Sequence, residues 1–429
     1  MAQIQNAEAL TVSDLRRDAL SIAEAGYEAI NTERVVNSKL KIANGELHIA
    51  DKIYKIDGRK VFYVGVGKCA ISAGRAIEKI LGNALADGIA LDADDTNPNN
   101  SSKIKVHIGT HPLPSEANER ASRSIVEFLS DKSVNDLVIM VISGGGSALL
   151  CLPEAPMTPA DESELFKELT KKGAPIQDLN TVRKHLSRAR GGALAVAAYP
   201  AEVVSLIVSD VPGNDVETVA SGPTVLDTST IADAQAILAK YGVALSTNIE
   251  FIKTPKEQRY FERVTNVLFL SNRDALYAMR DDAVRRGYEA IIVDDCFAGE
   301  ARDVGRVVVE RLHSSQSKTA LLYAGESTVA LDTHAGKGGR NQEIALAALA
   351  NLHDDELILS FASDGHDNTD HAGAIADEIT RAHARKKSLS AEEYLNSHRA
   401  YDFFTVTGDA LVTGYTGSNV SDLIVALKK

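Results

Sequence analysis

The sequence predicts an α/β protein: two α/β domains with largely parallel, Rossmann-like sheets and a polar active-site cleft between them. Three observations carry this. From residue 61 onward, short apolar strands alternate with helical segments, the pattern of βαβ units. The strands are too many, over 429 residues, to sit comfortably in one domain. Five of them end in glycine plus a charged or hydroxyl residue, and ligands of open α/β sheets bind beyond the carboxyl ends of the strands.

Residues 11–30 place Leu15, Ala19, Ile22, Ala23, Gly26 and Ile30 at helical spacing, predicting an amphipathic helix. Leu40 and Ile42, then Leu47 and Ile49, alternate with polar residues around Asn44-Gly45, a hairpin signal. Strands are expected at 61–66, 137–142, 203–208, 267–270, 290–293, 320–323 and 357–361. The run LVIMVI at 137–142 carries no polar side chain, as in a strand buried on both faces. Helical segments are expected at 71–81, 120–129, 181–198, 274–286, 301–312 and 342–352. The pattern weakens between 241 and 265, around Thr254-Pro255, which sets the domains at 1–245 and 246–429. Near the C-terminus, 403–407 and 411–413 flank Gly408-Asp409 as a second hairpin, and a last helix is expected from Asn419.

Composition narrows the function. Hydrophobic content of 44% and charged content of 24% are those of a globular protein with a sizeable core. A net charge of −13 argues against nucleic-acid or anionic-membrane partners, so an anionic substrate needs a local basic cluster. Cys69, Cys151 and Cys296 are widely spaced and in no CxxC pair, which suits a reducing, cytoplasmic setting. The N-terminus lacks the features of a signal peptide, and no apolar run reaches membrane-span length.

The strand ends hold the candidate chemistry. Ser143-Gly144-Gly145-Gly146-Ser147 closes the 137–142 strand. Its glycines permit positive φ and close ligand approach, and its N–H groups suit a phosphate; a plain glycine turn is the alternative. Lys68 follows Gly65 and Gly67 at a strand-to-helix turn, where an ammonium can meet a phosphate. Gly65, Gly67 and Ala70 also satisfy GxGxxA, a dinucleotide fingerprint that would use Asp92 on a ribose. Gly336-Lys337-Gly338-Gly339-Arg340-Asn341 opens a helix, placing a guanidinium beside free backbone donors. Residues 181–192 read as a basic helix, capped by Thr181 and stopped by Gly191, with Arg183, Ser187 and Arg190 on one face for a carboxylate. Asp364, Asp367 and Asp370 recur every three residues in a polar loop, as hard ligands for Mg²⁺. Asp210 and Glu326 are further strand-end carboxylates, each a metal ligand or general base. His111 and Cys69 read as structural.

The stretches VGVGKCA, GTHPLPSEANERAS, VISGGGSALLCLP, LNTVRKHLSRARGGALA, SDVPGNDVETVASGPTV, GKGGRNQEIALAAL, SDGHDNTDHAGAI and TGSNVSDL occur in order from about residue 12 onward. In them the chain resembles the glycerate 2-kinase family, whose MOFRL-containing members are often labelled hydroxypyruvate reductase. The resemblance implies transfer of the ATP γ-phosphoryl group to the 2-hydroxyl of D-glycerate with Mg²⁺. It matches the family's active-site lysine to Lys68 and its active-site arginine to Arg340. Two segments depart from the family pattern. DGHDNTDHAGA lacks a Gly-Pro and one residue of DGxDGPTDAAGA, and TGYTGSN has Tyr415 where proline is usual.

On this reading Lys68 and Arg340 neutralise the transferring group and Asp367 accepts the hydroxyl proton. Ser143, Gly144, Gly145, Gly146, Ser147, Gly338, Gly339 and Asn341 hold the nucleotide. Arg183, Arg190 and Glu326 meet the hydroxy acid, and Asp210 and Asp364 ligate Mg²⁺. The partners are then ATP and a small hydroxy acid, without nucleic acid or membrane. The role of the Asn44-Gly45 hairpin is open, an edge for self-association in a homodimer being one. Two rival functions are an NAD(P)H-dependent hydroxypyruvate reductase, resting on GxGxxA and Asp92, and a non-catalytic nucleotide or sugar-phosphate sensor.

Overall fold

The computed structural model describes residues 2–94, 103–245, 249–330 and 335–429. The chain divides into two compact units. The first comprises Thr32–Asp210 and Asn214–Leu270; the second comprises Met1–Asn31, Val211–Gly213 and Ser271–Lys429. The main division thus follows Leu270. Residues 246–248, where the expected boundary falls, lie outside the described residues.

In the first unit, Asn44 and Gly45 take φ of 52° and 75°, as a tight hairpin turn requires. They join β1 (Leu40–Ala43) to β2 (Glu46–Ile49), and β3 (Lys52–Lys55) adds a third antiparallel strand. The main sheet holds β4 (Val61–Val66), β5 (Leu85–Asp92), β6 (Ile104–Ile108), β7 (Leu137–Ile142), β8 (Glu202–Val208) and β9 (Val264–Leu270). Its order is β6-β5-β4-β7-β8-β9 and every pairing is parallel. Counted from β4, that is 3-2-1-4-5-6, so the order reverses between β4 and β7. β4 and β7 are buried along their whole length, which explains their unbroken apolar runs. β5 and β6 had no such signal: Asp87-Gly88 interrupts the first, and the second alternates apolar and polar residues at the sheet edge.

The second unit's sheet is mixed. It contains β10 (Glu289–Glu300), β11 (Thr319–Thr328), β12 (Glu356–Ala362), β13 (Gly373–Ala376), β14 (Ala410–Leu411) and β15 (Asp422–Lys428). The order is β10-β11-β15-β12-β13-β14, with only β10 and β11 parallel. The terminal segment expected as a helix is therefore a central strand. Its Leu423–Leu427 stretch is fully buried on both faces, and periodicity cannot tell such a short apolar run from a helix. The expected second hairpin is also replaced: Ala400–Thr407 is helical, with Ala400, Phe403, Phe404 and Thr407 on its buried face. That spacing is helical, and packing overrides the strand preference of Phe-Phe-Thr-Val-Thr.

The N-terminal helix Asp14–Ala29, capped by Ser13, packs against Asn272–Arg285 of the second unit, with Gly26 against Met279. Its Arg16 is fully buried. It donates Nε and Nη2 to Asp377, both at 2.7 Å, and Nη1 to Asp409 at 2.8 Å. This fork ties residues 1–31 to the C-terminal half of the sequence. Arg16→Ala would leave two buried carboxylates without their counter-ion, so urea unfolding is expected to show a loss of about 3–5 kcal/mol. A loss below about 1 kcal/mol would contradict the anchoring role.

Candidate functional site

In the first unit, the candidate residues gather where the strand order reverses. Ser143 N–H donates to Val66 O at 2.9 Å, and Lys68 N–H donates to Gly144 O at 3.0 Å, locking the β4 and β7 loops together. Gly67 has φ of 112°, and a Cβ there would stand 2.2 Å from Ser143 Oγ; only glycine fits. Gly145 has φ of 81°, and a Cβ on it would lie 3.2 Å from the His111 ring and 3.3 Å from Lys68 Cγ. The SGGGS backbone, Lys68 and His111 thus form one cluster. His111, expected to be structural, borders this loop.

Ser147 continues the cluster. It accepts a hydrogen bond from Ser221 at 3.0 Å, and Ser221 lies 2.9 Å from Asn180 Oδ1. Asn180 and Ser221 stand in the quoted motifs but were not singled out. Ala220 and Ser221 take φ of 52° and 60°, a strained left-handed pair followed by Gly222. Gly191 and Gly192 N–H groups hold that turn by donating to Ser221 O and Gly222 O at 3.0 and 2.8 Å.

Five expectations in this unit change. Asp92 is buried and accepts from Ile71 N–H at 3.1 Å and Ala93 N–H at 2.7 Å. It anchors the start of helix Ala70–Leu81 rather than a ribose. The basic helix expected over 181–198 breaks: Ile176–Lys184 ends before Gly191 and Gly192, both at positive φ, and Ala193–Ala198 follows. Thr181 is inside the first helix, not at its cap. Arg190, expected to meet substrate, has a side chain with no exposure. It pairs with Glu162 at 2.6 Å, whose other oxygen lies 3.3 Å from Cys151 Sγ. Arg183 is 6% exposed and lies flat on Phe166, 3.5 Å from its ring centre. Burial, with repulsion from Arg190, lowers its pKa. Both arginines serve the core of this unit.

Asp210 follows β8, half-buried, and with Asp92 it raises the pKa of Cys69. Burial is the larger cause, pushing that thiol up to about 12. Cys69 therefore stays protonated and inert.

In the second unit the site is built around helix Arg340–Leu349. Gly339 is its N-cap, and a Cβ on Gly339 would collide with Asp367. The Asp367 carboxylate accepts from Asn341 N–H and Gln342 N–H at 3.0 and 2.8 Å, and from both their side-chain amides. Asn341 is itself fully buried and accepts from Ser360 Oγ at 2.6 Å. Asp367, expected as the base, and Asn341, expected on the nucleotide, are thus spent on holding this helix end. Burial raises the Asp367 pKa, against the N–H donors and the Arg340 charge.

Arg340 points out of that turn, 31% exposed, with Nη1 2.9 Å from Glu326 and Nε 3.2 Å from Asp422 Oδ2. The latter approach is off line for a hydrogen bond, so Oδ2 keeps an unused acceptor position. Asp422 is buried, and desolvation raises its pKa to about 7, against the pull of Arg340. The two carboxylates in turn raise the Arg340 pKa. Asp422 lies in the TGSNVSDL motif, where a helix is expected, and instead opens strand β15. Beside Arg340 lies a cavity of about 310 Å³ lined by Ser327, Thr328, Gly336, Gly338, Asn368 and His398, among others. The Ser327 hydroxyl is buried without a hydrogen-bond partner. Such a pocket suits an anion with several oxygens. Asp364, half-buried, accepts from His366 N–H at 3.0 Å, and Asp370 is exposed beside Lys337. The three loop aspartates form no group that could hold a metal ion together.

Residues 18–252 match the family described as "Domain of unknown function (DUF4147)", and residues 319–422 match the MOFRL family. A "Glycerate 2-kinase" of Pyrococcus horikoshii is 35% identical, over 96% of this chain and 97% of its own. The chain belongs to the glycerate 2-kinase family. A crystal structure of a glycerate kinase from Thermotoga maritima matches with a TM-score of 0.83 and 29% identity, over 97% of this chain and 99% of that one. A relative from Agrobacterium vitis, 33% identical over 91% of this chain and 92% of its own, is named only provisionally, as a hydroxypyruvate reductase. As a member of the glycerate 2-kinase family the chain is an enzyme of phosphoryl transfer, built from two α/β units. No helix among the described residues is long and apolar enough to cross a membrane.

Desolvation moves the Asp92 carboxyl from the ordinary 3.8 to about 6. Between those values the unfolded chain has lost the proton and the folded chain keeps it, so stability falls as pH rises. Asp92→Asn lacks this dependence. Wild-type stability relative to the variant, measured by urea unfolding, is expected to drop between pH 4 and 7; a constant difference would contradict the burial argument.

Proposed function

We propose that this chain transfers the γ-phosphoryl group of ATP to the 2-hydroxyl of D-glycerate, giving 2-phosphoglycerate and ADP. The observation that carries the reading is Arg340: a guanidinium fixed by two carboxylates at a helix N-terminus, beside a glycine-lined pocket with a partnerless Ser327 hydroxyl. Phosphoryl transfer spreads charge over three equatorial oxygens and asks a protein chiefly for positioning and neutralisation.

In this mechanism Arg340 and Lys68 neutralise the transferring group. The Ser143–Ser147 loop backbone and the Gly338-Gly339 turn hold the nucleotide phosphates. Asp422 is a positioning residue that fixes the guanidinium from below. Glu326, 46% exposed, is the reachable carboxylate beside Arg340, and we assign it the hydroxy acid and its departing proton. Among the described residues, no group of three ligands gathers at Asp210 or Asp364. Single carboxylates fit Mg²⁺ that is ligated mainly by nucleotide phosphates, and the ion would there offset phosphate charge. Three free cysteines suit work in a reducing cytoplasm. The reductase reading would need Asp92 on a ribose, but both its oxygens are engaged by backbone N–H groups.

ADP release from ATP and Mg²⁺ is expected to require D-glycerate. Lys68→Ala and Arg340→Ala should each lower kcat by at least about 10²-fold with the circular-dichroism spectrum preserved. Wild-type rates in either variant would remove that residue from the mechanism. NADH oxidation by hydroxypyruvate, without ADP release, would replace the kinase with the reductase.

A further inference from the structure

At the opposite end of β12 from the Arg340 pocket, three chemistry-bearing side chains meet that phosphoryl transfer does not use. His313 ends helix Ala301–His313, His353 sits in the turn after helix Arg340–Leu349, and Glu356 opens β12. At about 3.3 Å per residue, the strand separates this cluster from the Asp367 loop by roughly 20 Å. We propose that His313, His353 and Glu356 bind a divalent transition-metal ion of the Zn²⁺ class.

Glu356 is the centre of the cluster. Its side chain has no exposure, yet its Oε1 is a buried acceptor without a hydrogen-bond partner. His313 Nε2 is likewise buried without an aligned hydrogen bond, although it faces Glu356 Oε2. Buried polar atoms without partners are uncommon in a native fold and ask for an explanation. The ammonium of Lys428 lies 3.6 Å from Oε1 but donates elsewhere, to His313 O at 3.0 Å and Leu312 O at 3.5 Å. It completes the helix C-terminus and leaves Oε1 without a hydrogen bond.

Distances fit a chelate. His313 Nε2 lies 3.1 Å from Glu356 Oε2, His353 Nδ1 lies 3.5 Å from Oε1, and all three donor atoms fall within 4.8 Å of one another. Ligands at about 2.0–2.1 Å from a tetrahedral Zn²⁺ stand about 3.4 Å apart. His353 N–H donates to Oε2 at 2.8 Å, which sets the turn against the carboxylate. The two imidazoles are stacked at 3.9 Å and 7°. Parallel rings share no in-plane point, so the ion draws the His353 ring, 60% exposed, out of the stack. Two imidazoles and one carboxylate select Zn²⁺, Ni²⁺ or Cu²⁺ over Mg²⁺ and leave a fourth position for water. The ion would cross-link a helix end, a turn and a strand.

The test uses the full-length protein, stripped with chelator and titrated with Zn²⁺ by calorimetry, and with Co²⁺ by visible absorption. One equivalent is expected to bind, with a tetrahedral Co²⁺ spectrum and a raised Tm. His353→Ala and His313→Ala should each weaken binding at least about 10-fold while leaving MgATP-dependent turnover of the metal-free protein unchanged. Cys296→Ser controls for the other cluster, Asp294, Asp295 and Cys296. No binding, or binding that survives His353→Ala but fails in Cys296→Ser, would overturn the proposal.

Discussion

The second unit depends on one topological choice: β15 runs antiparallel between β11 and β12. Registers pair Asp422 with Gly325 on one side and with Ala362 on the other. The first residue of the last strand therefore stands level with the end of β12 and one residue before Glu326 of β11. That is the edge from which Glu326 and the Asp364–Asp370 loop emerge, and where the Arg340 helix begins. A parallel β15, or the helix expected there, would carry Asp422 away from Arg340. The guanidinium would then lose its buried anchor and keep only the surface pair with Glu326, which holds little by itself.

The first unit meets the same demand with a parallel sheet. Reversal of strand order between β4 and β7 opens a crevice between their two loops, and glycine makes the closure tight enough for backbone to touch backbone. Gly67 against Ser143 and Gly146 against Ala220 are contacts that a methyl group would break. The strained Ala220-Ser221 turn is held in place by Gly191 and Gly192 through backbone bonds, while the preceding Arg183 and Arg190 face the core.

Much of this was legible in the sequence. Uniformly apolar runs such as 61–66 and 137–142 match β4 and β7 to the residue, and SGGGS, Lys68 and Arg340 all fall at the strand or helix ends where they were sought. The misreadings share a cause. Spacing shows which residues are neighbours along an element but not what each side chain faces. Arg183 and Arg190 read as a basic face because Glu162 and Phe166, which neutralise and cover them, come from a different helix. Asp367 read as a free carboxylate because its four donors lie some 25 residues upstream. Asp422 was overlooked because the strand pairing that gives it meaning is non-local.

Phosphoryl transfer to the 2-hydroxyl leaves its signature in the ³¹P NMR spectrum of the product. Purified protein with D-glycerate, ATP and Mg²⁺ should give one new phosphomonoester resonance, coupled to the single methine proton at carbon 2. Coupling to a methylene pair would move the transfer to the 3-hydroxyl and contradict the assignment. Loss of ATP phosphorus to inorganic phosphate alone would contradict transfer itself.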